Sequence, residues 1–232
     1  MNNLLYKNLA GYYDLIYSYK NYKEEAEKIT QLIKKYKKSQ GNDLLDVACG
    51  TGKHLEYLAN FFDCMGTDIN EEVLNIAKKR LPKVEFKIAD MTDMNIGMQF
   101  DVITCLFSSI GYIKTYENLE KTWHNFAAHL KVGGVVIVEP WFNKKTFKVG
   151  LPNLTTYDGK DTKISRMNVS KVQGDISILD FHFLIAEQNK DVQYFTDIHE
   201  LGMFDINKTL DIMKSAGFEA KFVKDSLSSF AK

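Results

Sequence analysis

The sequence predicts an α/β protein built on a doubly wound, mostly parallel sheet. An apolar run at residues 44–47 leads into a turn that contains Gly50 and Gly52, and a helical pattern follows. Strand-like and helix-like segments then alternate as far as residue 141, which is typical of a parallel sheet covered by helices. Between residues 142 and 203 the pattern changes to a two-residue period, which indicates an inserted antiparallel sheet.

The length of 232 residues fits one domain that carries an insertion. We assign residues 1–141 and 204–232 to the core and residues 142–203 to an inserted sheet above the ligand crevice. A hydrophobic content of 45% is sufficient for a buried core. The balanced charge, 30 basic and 30 acidic residues, argues against a nucleic-acid partner.

The remaining composition indicates a cytoplasmic protein. No apolar run approaches the length of a membrane span, and the N-terminus lacks a signal-peptide pattern. The three cysteines, Cys49, Cys64 and Cys105, form no Cys-x-x-Cys pair. We therefore expect reduced thiols and no metal site.

The N-terminal segment is rich in tyrosine. Its tyrosines are Tyr6, Tyr12, Tyr13, Tyr17, Tyr19 and Tyr22. They could form an aromatic helix that packs on the core. They could also form a lid whose rings attract a bound cation. An amphipathic helix is predicted next, at residues 22–38.

The glycine turn indicates which ligand binds. A dinucleotide fingerprint requires a third glycine where Leu55 stands, and a phosphate-binding loop requires Ser or Thr where His54 stands. Asp46, at the end of the first strand, would repel a diphosphate. Asp46, Ala48, Gly50 and Gly52 instead suit a cationic ligand without phosphates, namely S-adenosylmethionine. The alternative is an ordinary strand-to-helix turn.

Acidic residues also end the next two predicted strands, at residues 64–69 and 84–89. Asp68 is placed to accept hydrogen bonds from ribose hydroxyls. Its alternative role is a helix cap, but Asn70 is the better cap for the helix at 71–81 and would free Asp68. Asp90 and the amide of Met91 are placed to recognise the adenine edge.

Further elements complete the predicted fold. A buried strand at 100–107 leads to a crevice-facing segment at 106–112, and a helix at 116–130 precedes a strand at 135–139. Three inserted strands are predicted at 164–172, 178–186 and 192–201. A helix at 207–215 and a sixth strand of the main sheet at 218–223 follow. The whole is a Rossmann-like, doubly wound fold with an inserted antiparallel sheet.

Three stretches carry a resemblance to a known family: residues 44–52, residues 107–112 (Phe-Ser-Ser-Ile-Gly-Tyr) and residues 133–141, which end in Val-Glu-Pro-Trp. The chain resembles bacterial class I methyltransferases. More closely, it resembles the N,N-dimethyltransferases of nucleotide-linked amino sugars in desosamine and mycaminose formation. The resemblance implies S-adenosylmethionine as cofactor, a sugar nucleotide as acceptor and a homodimer.

The resemblance and the strand ends together give the candidate site. The candidate cofactor residues are Tyr13, Tyr22, Asp46, Ala48, Gly50, Gly52, Asp68, Ile69, Asp90, Met91 and Leu106. The candidate acceptor residues are Tyr6, Ser109, Trp141, Arg166, His199 and Lys232. Only two arginines are present. Arg80 has a solvated helix end as its simplest role, which leaves Arg166 as the candidate diphosphate partner.

Methyl transfer from a sulfonium is an in-line displacement that depends mainly on positioning. Tyr112, Glu139 and His182 are the candidates to accept a proton, and His199 could relay one. For each histidine a structural role is the simpler alternative, and Glu139 could instead bind backbone amides. Two other functions stay open: a methyltransferase for an amino acid, carboxylic acid or phenol, and a non-catalytic S-adenosylmethionine-binding protein.

Overall fold

A computed structural model describes residues 10–224 and contains two separate sheets. The first sheet is parallel throughout and has the strand order β3-β2-β1-β4-β5. Its strands are β1 (Asp43–Val47), β2 (Asp63–Asp68), β3 (Glu85–Ile88), β4 (Phe100–Cys105) and β5 (Leu130–Val138). The chain order reverses between β1 and β4, and ligands of open α/β sheets bind beyond the strand ends at this point.

Six α-helices accompany the strands within the described residues. They are α1 (Ala10–Ile16), α2 (Tyr22–Tyr36), α3 (Leu55–Leu58), α4 (Glu71–Arg80), α5 (Tyr116–His129) and α6 (Ile206–Ser215). Side chains cap three of them: Asn21 accepts from the Glu24 amide, Thr115 from Asn118 and Asp205 from Lys208. These caps satisfy amides that the first helical turn leaves without partners.

The central strands are buried on both faces, which confirms the doubly wound fold. Leu45 of β1 and Ile103 of β4 lie in one apolar cluster with Trp123 of α5. The alternate residues Leu44 and Val102 lie in a second cluster, which also contains residues of α2, α3 and α4. Because successive strand residues point to opposite faces, the two clusters lie on opposite sides of the sheet.

The second sheet is antiparallel with its strands in chain order. They are β6 (Pro152–Asp158), β7 (Thr162–Gln173), β8 (Ile176–Glu187) and β9 (Gln193–Gly202). Its inner face carries Arg166, Phe181, Phe183, Asp197 and His199, all buried. Phe181 and Phe183 cluster with Ile16, and the α1 side chains of Tyr12 and Tyr13 pack against them. The outer face carries exposed apolar side chains, including Leu154, Met167, Val169, Leu184, Tyr194 and Ile198.

Three predictions about the elements were wrong. Residues 218–223 form no strand: Phe218 packs against the Trp123 ring at a centroid distance of 5.4 Å, whereas Phe222 is exposed. Strand β5 begins at Leu130 rather than at residue 135. The edge strand β6 was not predicted, because Pro, Asn and Asp give its sequence a low strand propensity.

Within residues 10–224, every helix is too short or too polar to cross a lipid bilayer.

Candidate active site

A cavity of about 540 Å³ lies at the carboxyl ends of the parallel strands. Most of the predicted cofactor residues line it, and so do Ser109 and Tyr112 from the segment after β4. The lining includes Tyr13, Tyr22, Asp46, Ala48, Gly50, Asp68, Ile69, Met91, Leu106, Ser109 and Tyr112. Tyr6 and Lys232 lie outside the described residues. Gly52, Asp90, Glu139, Trp141, Arg166, His182 and His199 are not part of the lining.

Asp68 links the glycine turn after β1 to the start of α4 through hydrogen bonds. Its Oδ2 accepts a hydrogen bond from the Gly50 amide at 2.9 Å, and its Oδ1 accepts one from the Asn70 amide at 2.9 Å. Asn70 occupies the N-cap position of α4, but its side chain donates to Asp68 at 3.3 Å and does not cap the helix. The prediction that Asn70 would free Asp68 is therefore wrong. Burial raises the pKa of Asp68, and the hydrogen bonds from Asn70 and Gly50 oppose that rise.

Asp46 is a buried acid on the cavity wall. It is 2% exposed, and its Oδ1 accepts a hydrogen bond from Thr104 Oγ1 at 2.7 Å. Burial raises its pKa from 3.8 to about 6, with a smaller opposing effect from His54. A cationic ligand in the cavity would favour the charged form of this acid.

The two glycines of the turn have different roles. Both have positive φ, +56° at Gly50 and +76° at Gly52. A Cβ at Gly50, on the cavity wall, would have no atom within 4 Å. A Cβ at Gly52 would lie 3.3 Å from Ala77 Cβ of α4. Gly52 thus permits α4 to pack against the turn, and its contact with the ligand stays a prediction.

Only one member of the predicted adenine pair reaches the cavity. Met91 lines it, whereas Asp90 is exposed and lies outside the lining. Asp90 Oδ1 accepts from the Thr92 amide at 2.9 Å and from Thr92 Oγ1 at 2.8 Å. These local bonds give Asp90 the role of a turn-forming residue.

Helix α1 is tied to the glycine turn by an ionic contact that we name the α1 tie. Asp14 Oδ1 accepts a hydrogen bond from Thr51 Oγ1 at 2.7 Å. Arg80 of α4 donates to Asp14 Oδ2 and to the Thr51 carbonyl. Arg80 is therefore not a simple solvated charge, as its sequence position suggested. The tie holds Tyr13, on the same helix, against the cavity.

A buried charged cluster provides a second link between the N-terminal helices and the turn. Lys20 Nζ lies 2.8 Å from Glu25 Oε1, and Glu25 Oε2 lies 2.9 Å from His54 Nε2. All three residues are at most 8% exposed. The Lys20 ammonium also lies 4.0 Å from the centroid of the Phe107 ring. This cluster is not among the residues predicted from the sequence.

Glu139 supports the backbone next to the cavity. Its Oε2 accepts a hydrogen bond from the Phe107 amide at 2.7 Å, and burial raises its pKa. Phe107 and Ser108 have positive φ values of 52° and 62°, and strained backbone of this kind persists only where surrounding contacts hold it. The backbone-binding role named as the alternative for Glu139 is the one observed.

Three polar side chains connect the cavity to the inserted sheet. Tyr112, on the cavity wall, has its Oη 2.5 Å from His199 Nδ1. His199 Nε2 lies 2.8 Å from Asp197 Oδ2. His199 and Asp197 are only 2% and 3% exposed. The sequence analysis included Tyr112 and His199 but missed Asp197.

His182 lies on the outer face, away from this chain of contacts. In β8 it alternates with the buried residues Phe181 and Phe183, so its side chain points to the other side of the sheet. Its Nδ1 is 2.6 Å from Tyr194 Oη, and the two rings stack. This placement corrects the prediction that His182 accepts a proton in the crevice.

Arg166 lies on the inner face of the second sheet and does not line the cavity. It is 7% exposed and donates to Tyr17 Oη at 2.8 Å and to Thr155 Oγ1 at 3.1 Å. Its guanidinium lies 4.6 Å from the Phe181 ring centroid. Among the described residues, no carboxylate forms an ion pair with it. Trp141 donates to Ser177 Oγ at 2.8 Å, so its indole is held against the inserted sheet.

Comparison with known proteins identifies the family. A family model described as a methyltransferase domain matches residues 44–134. The dTDP-3-amino-3,4,6-trideoxy-alpha-D-glucopyranose N,N-dimethyltransferase of Streptomyces venezuelae is 35% identical over 218 residues, which are 93% of this chain and 92% of the relative. This chain belongs to the S-adenosylmethionine-dependent methyltransferases. The resemblance drawn from the three sequence stretches is thereby confirmed.

Solved structures extend the similarity to the whole fold of this methyltransferase. The crystal structure of Streptomyces venezuelae DesVI has a TM-score of 0.85 and 36% identity, and the match covers 90% of this chain and 89% of that one. S-adenosylmethionine-bound CalS10, an amino pentose methyltransferase from Micromonospora echinaspora, has a TM-score of 0.78 and 28% identity, with 85% and 84% covered. The matched length includes the inserted sheet as well as the parallel one.

Proposed function

We propose that this methyltransferase transfers a methyl group from S-adenosylmethionine to the amino group of a sugar carried on a nucleoside diphosphate, most simply a dTDP-linked one. The observation that carries the proposal is similarity over nearly the whole chain to relatives named for this reaction. Three of them are N,N-dimethyltransferases of dTDP-linked 3-amino or 4-amino sugars at 31–35% identity. The inserted sheet, which we regard as the acceptor lid, is part of that similarity.

The cavity residues suit the cofactor. Asp68 has lone pairs beyond those used by Gly50 and Asn70, so it can also accept from ribose hydroxyls. Met91 follows β3 and lines the cavity, so its amide is our candidate for the adenine edge. Tyr13 and Tyr22 supply aromatic surface, and Asp46 supplies negative charge, for a ligand whose sulfonium is positive.

The reaction depends more on the alignment of the amine nitrogen with the methyl carbon than on activation of the leaving group. The nitrogen lone pair forms a bond to the methyl carbon while the S–C bond breaks, and the electron pair stays on sulfur. The sulfonium is already a good leaving group, so holding the two reactants in line supplies most of the rate. Tyr112 and Ser109, on the same wall as Leu106, are the residues we place beside the acceptor.

Arg166 is our candidate for the diphosphate. Its guanidinium is buried, and its hydrogen-bond partners among the described residues are the neutral hydroxyl groups of Tyr17 and Thr155, so its charge lacks a counter-ion there. A buried unpaired charge is costly, and a phosphate that pairs with it would remove that cost. Trp141, which contacts the inserted sheet, and His199, which belongs to it, are further candidates for the acceptor site. Tyr6 and Lys232 remain acceptor-site candidates from the resemblance alone.

Steady-state kinetics with labelled S-adenosylmethionine test the assignment. The acceptors are the three dTDP-amino sugars that the relatives' names specify, beside a free amino acid and a phenol. We expect methylation of at least one sugar nucleotide and none of the other compounds. Methylation of only the amino acid or phenol would remove the acceptor assignment.

The variant Arg166→Lys tests the proposed contact between Arg166 and the diphosphate. It keeps the charge but loses the planar fork, so we expect the acceptor KM to rise about tenfold with kcat nearly unchanged. Lys163→Ala, on an exposed part of β7, is the control. An unchanged acceptor KM in Arg166→Lys would exclude the phosphate contact.

We also propose a cytoplasmic homodimer that binds no nucleic acid. The three cysteines carry free thiols, and the charges balance. The exposed apolar outer face supports self-association, because monomers rarely expose a contiguous patch of this kind. Sedimentation should show a dimer that Leu184→Glu converts to a monomer, whereas Val132→Glu, at a fully exposed site on β5, should remain dimeric. A monomeric wild-type protein would contradict the dimer.

A further inference from the structure

A buried chain of hydrogen bonds runs from the cavity into the inserted sheet, through Tyr112, His199 and Asp197. We propose that Tyr112 is the catalytic residue that takes the proton from the acceptor amine, and that His199 and Asp197 are the positioning residues that allow it to do so. This inference rests on the proposed function, because it names how the same site deprotonates its acceptor.

The direction of the hydrogen bonds follows from donor chemistry. An ionised carboxylate can only accept, so Nε2 of His199 carries the hydrogen and donates to Asp197 Oδ2 over 2.8 Å. In the neutral imidazole Nδ1 then accepts, and Tyr112 Oη donates to it over 2.5 Å. Tyr112 lines the cavity, so its hydroxyl oxygen can accept a proton that arrives from there. Asp197 thus selects the tautomer that makes Tyr112 a proton acceptor.

An amine acceptor needs such a group. Aliphatic amines have pKa values near that of lysine, about 10.4, so most of the acceptor is an ammonium ion at neutral pH. That ion has no lone pair and cannot attack the methyl group. Each methyl transfer also leaves a positive nitrogen, so a second transfer to it requires another proton to leave.

The ammonium N–H proton moves to Tyr112 Oη as the Tyr112 hydroxyl proton moves to His199 Nδ1. His199 becomes an imidazolium beside the Asp197 carboxylate, which offsets its charge. The neutral amine then forms the N–C bond, and the S–C electron pair stays on sulfur. The proton returns through Tyr112 to water when the crevice opens.

The His199 ring packs against an aromatic side chain of the inserted sheet. It lies 5.2 Å from the Phe181 ring, centroid to centroid, and the Arg166 guanidinium lies 4.6 Å from that same Phe181 ring. The neighbouring Glu200 pairs with Lys114. The Asp197 carboxylate is an anion in direct contact with the imidazole.

A contact between a tyrosine and a histidine does not by itself indicate a proton relay. His182 and Tyr194 make the same contact on the outer face, but His182 is exposed there. The His199 chain differs because it is buried, has a carboxylate in hydrogen-bond contact and begins at the cavity wall. The assignment of Tyr112, His199 and Asp197 as a proton relay rests on these three differences.

The test is the pH dependence of kcat/KM between pH 6 and 10, with a dTDP-amino sugar that the wild-type enzyme methylates. We expect His199→Gln and Tyr112→Phe to lower kcat/KM at pH 7 by about a hundredfold. The loss should shrink as the pH approaches 10, because the acceptor then arrives as a neutral amine. Affinity for S-adenosylmethionine should stay unchanged. His124→Gln, at an exposed position on α5, should follow the wild type.

A pH-independent loss in both variants would overturn the relay and leave His199 a structural residue. Nitrogen NMR of the wild-type histidines gives a second test that needs no variant. We expect the Nε2–H tautomer for His199 at pH 7, and the Nδ1–H tautomer would overturn the proposal. If no sugar nucleotide is methylated, the proposed function fails, while the tautomer measurement still decides the hydrogen-bond direction.

Discussion

The carboxylate of Asp68 and the amide of Gly50 form a 2.9 Å hydrogen bond that links the end of β2 to the glycine turn after β1. The same carboxylate also accepts from the Asn70 amide at the start of α4. One side chain therefore shapes three segments of the cavity wall. Its removal changes both the wall and any ligand contact that the carboxylate makes.

Asp68→Ala should weaken S-adenosylmethionine binding by about 2–4 kcal/mol, since charge-assisted hydrogen bonds to the ribose are lost. It should also lower the melting temperature, because the Gly50 and Asn70 amides lose their acceptor. Asn70→Ala, which removes only the side-chain donor, is the control and should retain most of the affinity. Calorimetry and thermal unfolding measure the two effects. Unchanged affinity in Asp68→Ala would remove Asp68 from the cofactor site.

Alanine at Gly50 and at Gly52 should produce opposite results. Each substitution places a side chain at positive φ, which costs about 1 kcal/mol of folding free energy. Gly52→Ala adds a close contact with Ala77 and should be the less stable variant, with cofactor affinity retained in the folded fraction. Gly50→Ala should remain folded and lose affinity. A Gly52→Ala variant that is stable but does not bind would return Gly52 to the ligand site.

Asp46 should make both stability and cofactor binding depend on pH. Its folded-state pKa of about 6 lies above its ordinary value of 3.8, so the folded state holds the proton more tightly than the unfolded state. Its contribution to stability is therefore complete below about pH 4 and is lost as the pH rises through 6, an effect of roughly 3 kcal/mol. Urea unfolding of Asp46→Asn should lack this loss.

Cofactor binding should respond in the opposite sense. A positive ligand prefers the ionised form of Asp46, so affinity for S-adenosylmethionine should fall as the pH falls through 6. Comparison of the wild type with Asp46→Asn isolates this residue, because Asp68 and Glu139 are present in both proteins. Identical pH profiles would show that Asp46 does not interact with the cofactor's charge.

The α1 tie should control how fast the cofactor leaves. Arg80→Ala removes the ion pair with Asp14 and the hydrogen bond to the Thr51 carbonyl. We expect about a tenfold faster release of S-adenosylmethionine, in line with charge-assisted contacts of 1.5–3 kcal/mol that are partly exposed. Lys78→Ala, an exposed position on the same helix, is the control. Equal release rates in a stopped-flow experiment would show that α1 does not restrain the cofactor.

Much of the lining of the cavity could be predicted from the sequence, because several lining residues follow strand ends. Asp46, Asp68 and Met91 could be placed there from the alternation of strands and helices alone. Gly52 shows the limit of this reasoning. A glycine with positive φ has the same sequence signature whether the space beside it belongs to a ligand or to Ala77.

The contacts between distant segments could not be predicted in the same way. The Lys20–Glu25–His54 cluster and the pairing of Arg80 with Asp14 depend on how helices fold against the turn, and no local pattern encodes them. For the inserted sheet, alternation placed His182 and Leu184 on one face but did not show which face is buried. The stronger apolar character of Phe181 and Phe183 was the available signal.

Strand β9 contributes side chains to both the inner and the outer face of the second sheet. Asp197 and His199 point inward to the cavity side, whereas Ile198 between them points outward. A slip of β9 by one residue against β8 would exchange these directions and bring Ile198 in beside Tyr112. The proposed proton relay and the proposed surface for self-association would then be lost in the same event. Variants with one residue inserted or deleted early in β9 should therefore lose activity and assembly together.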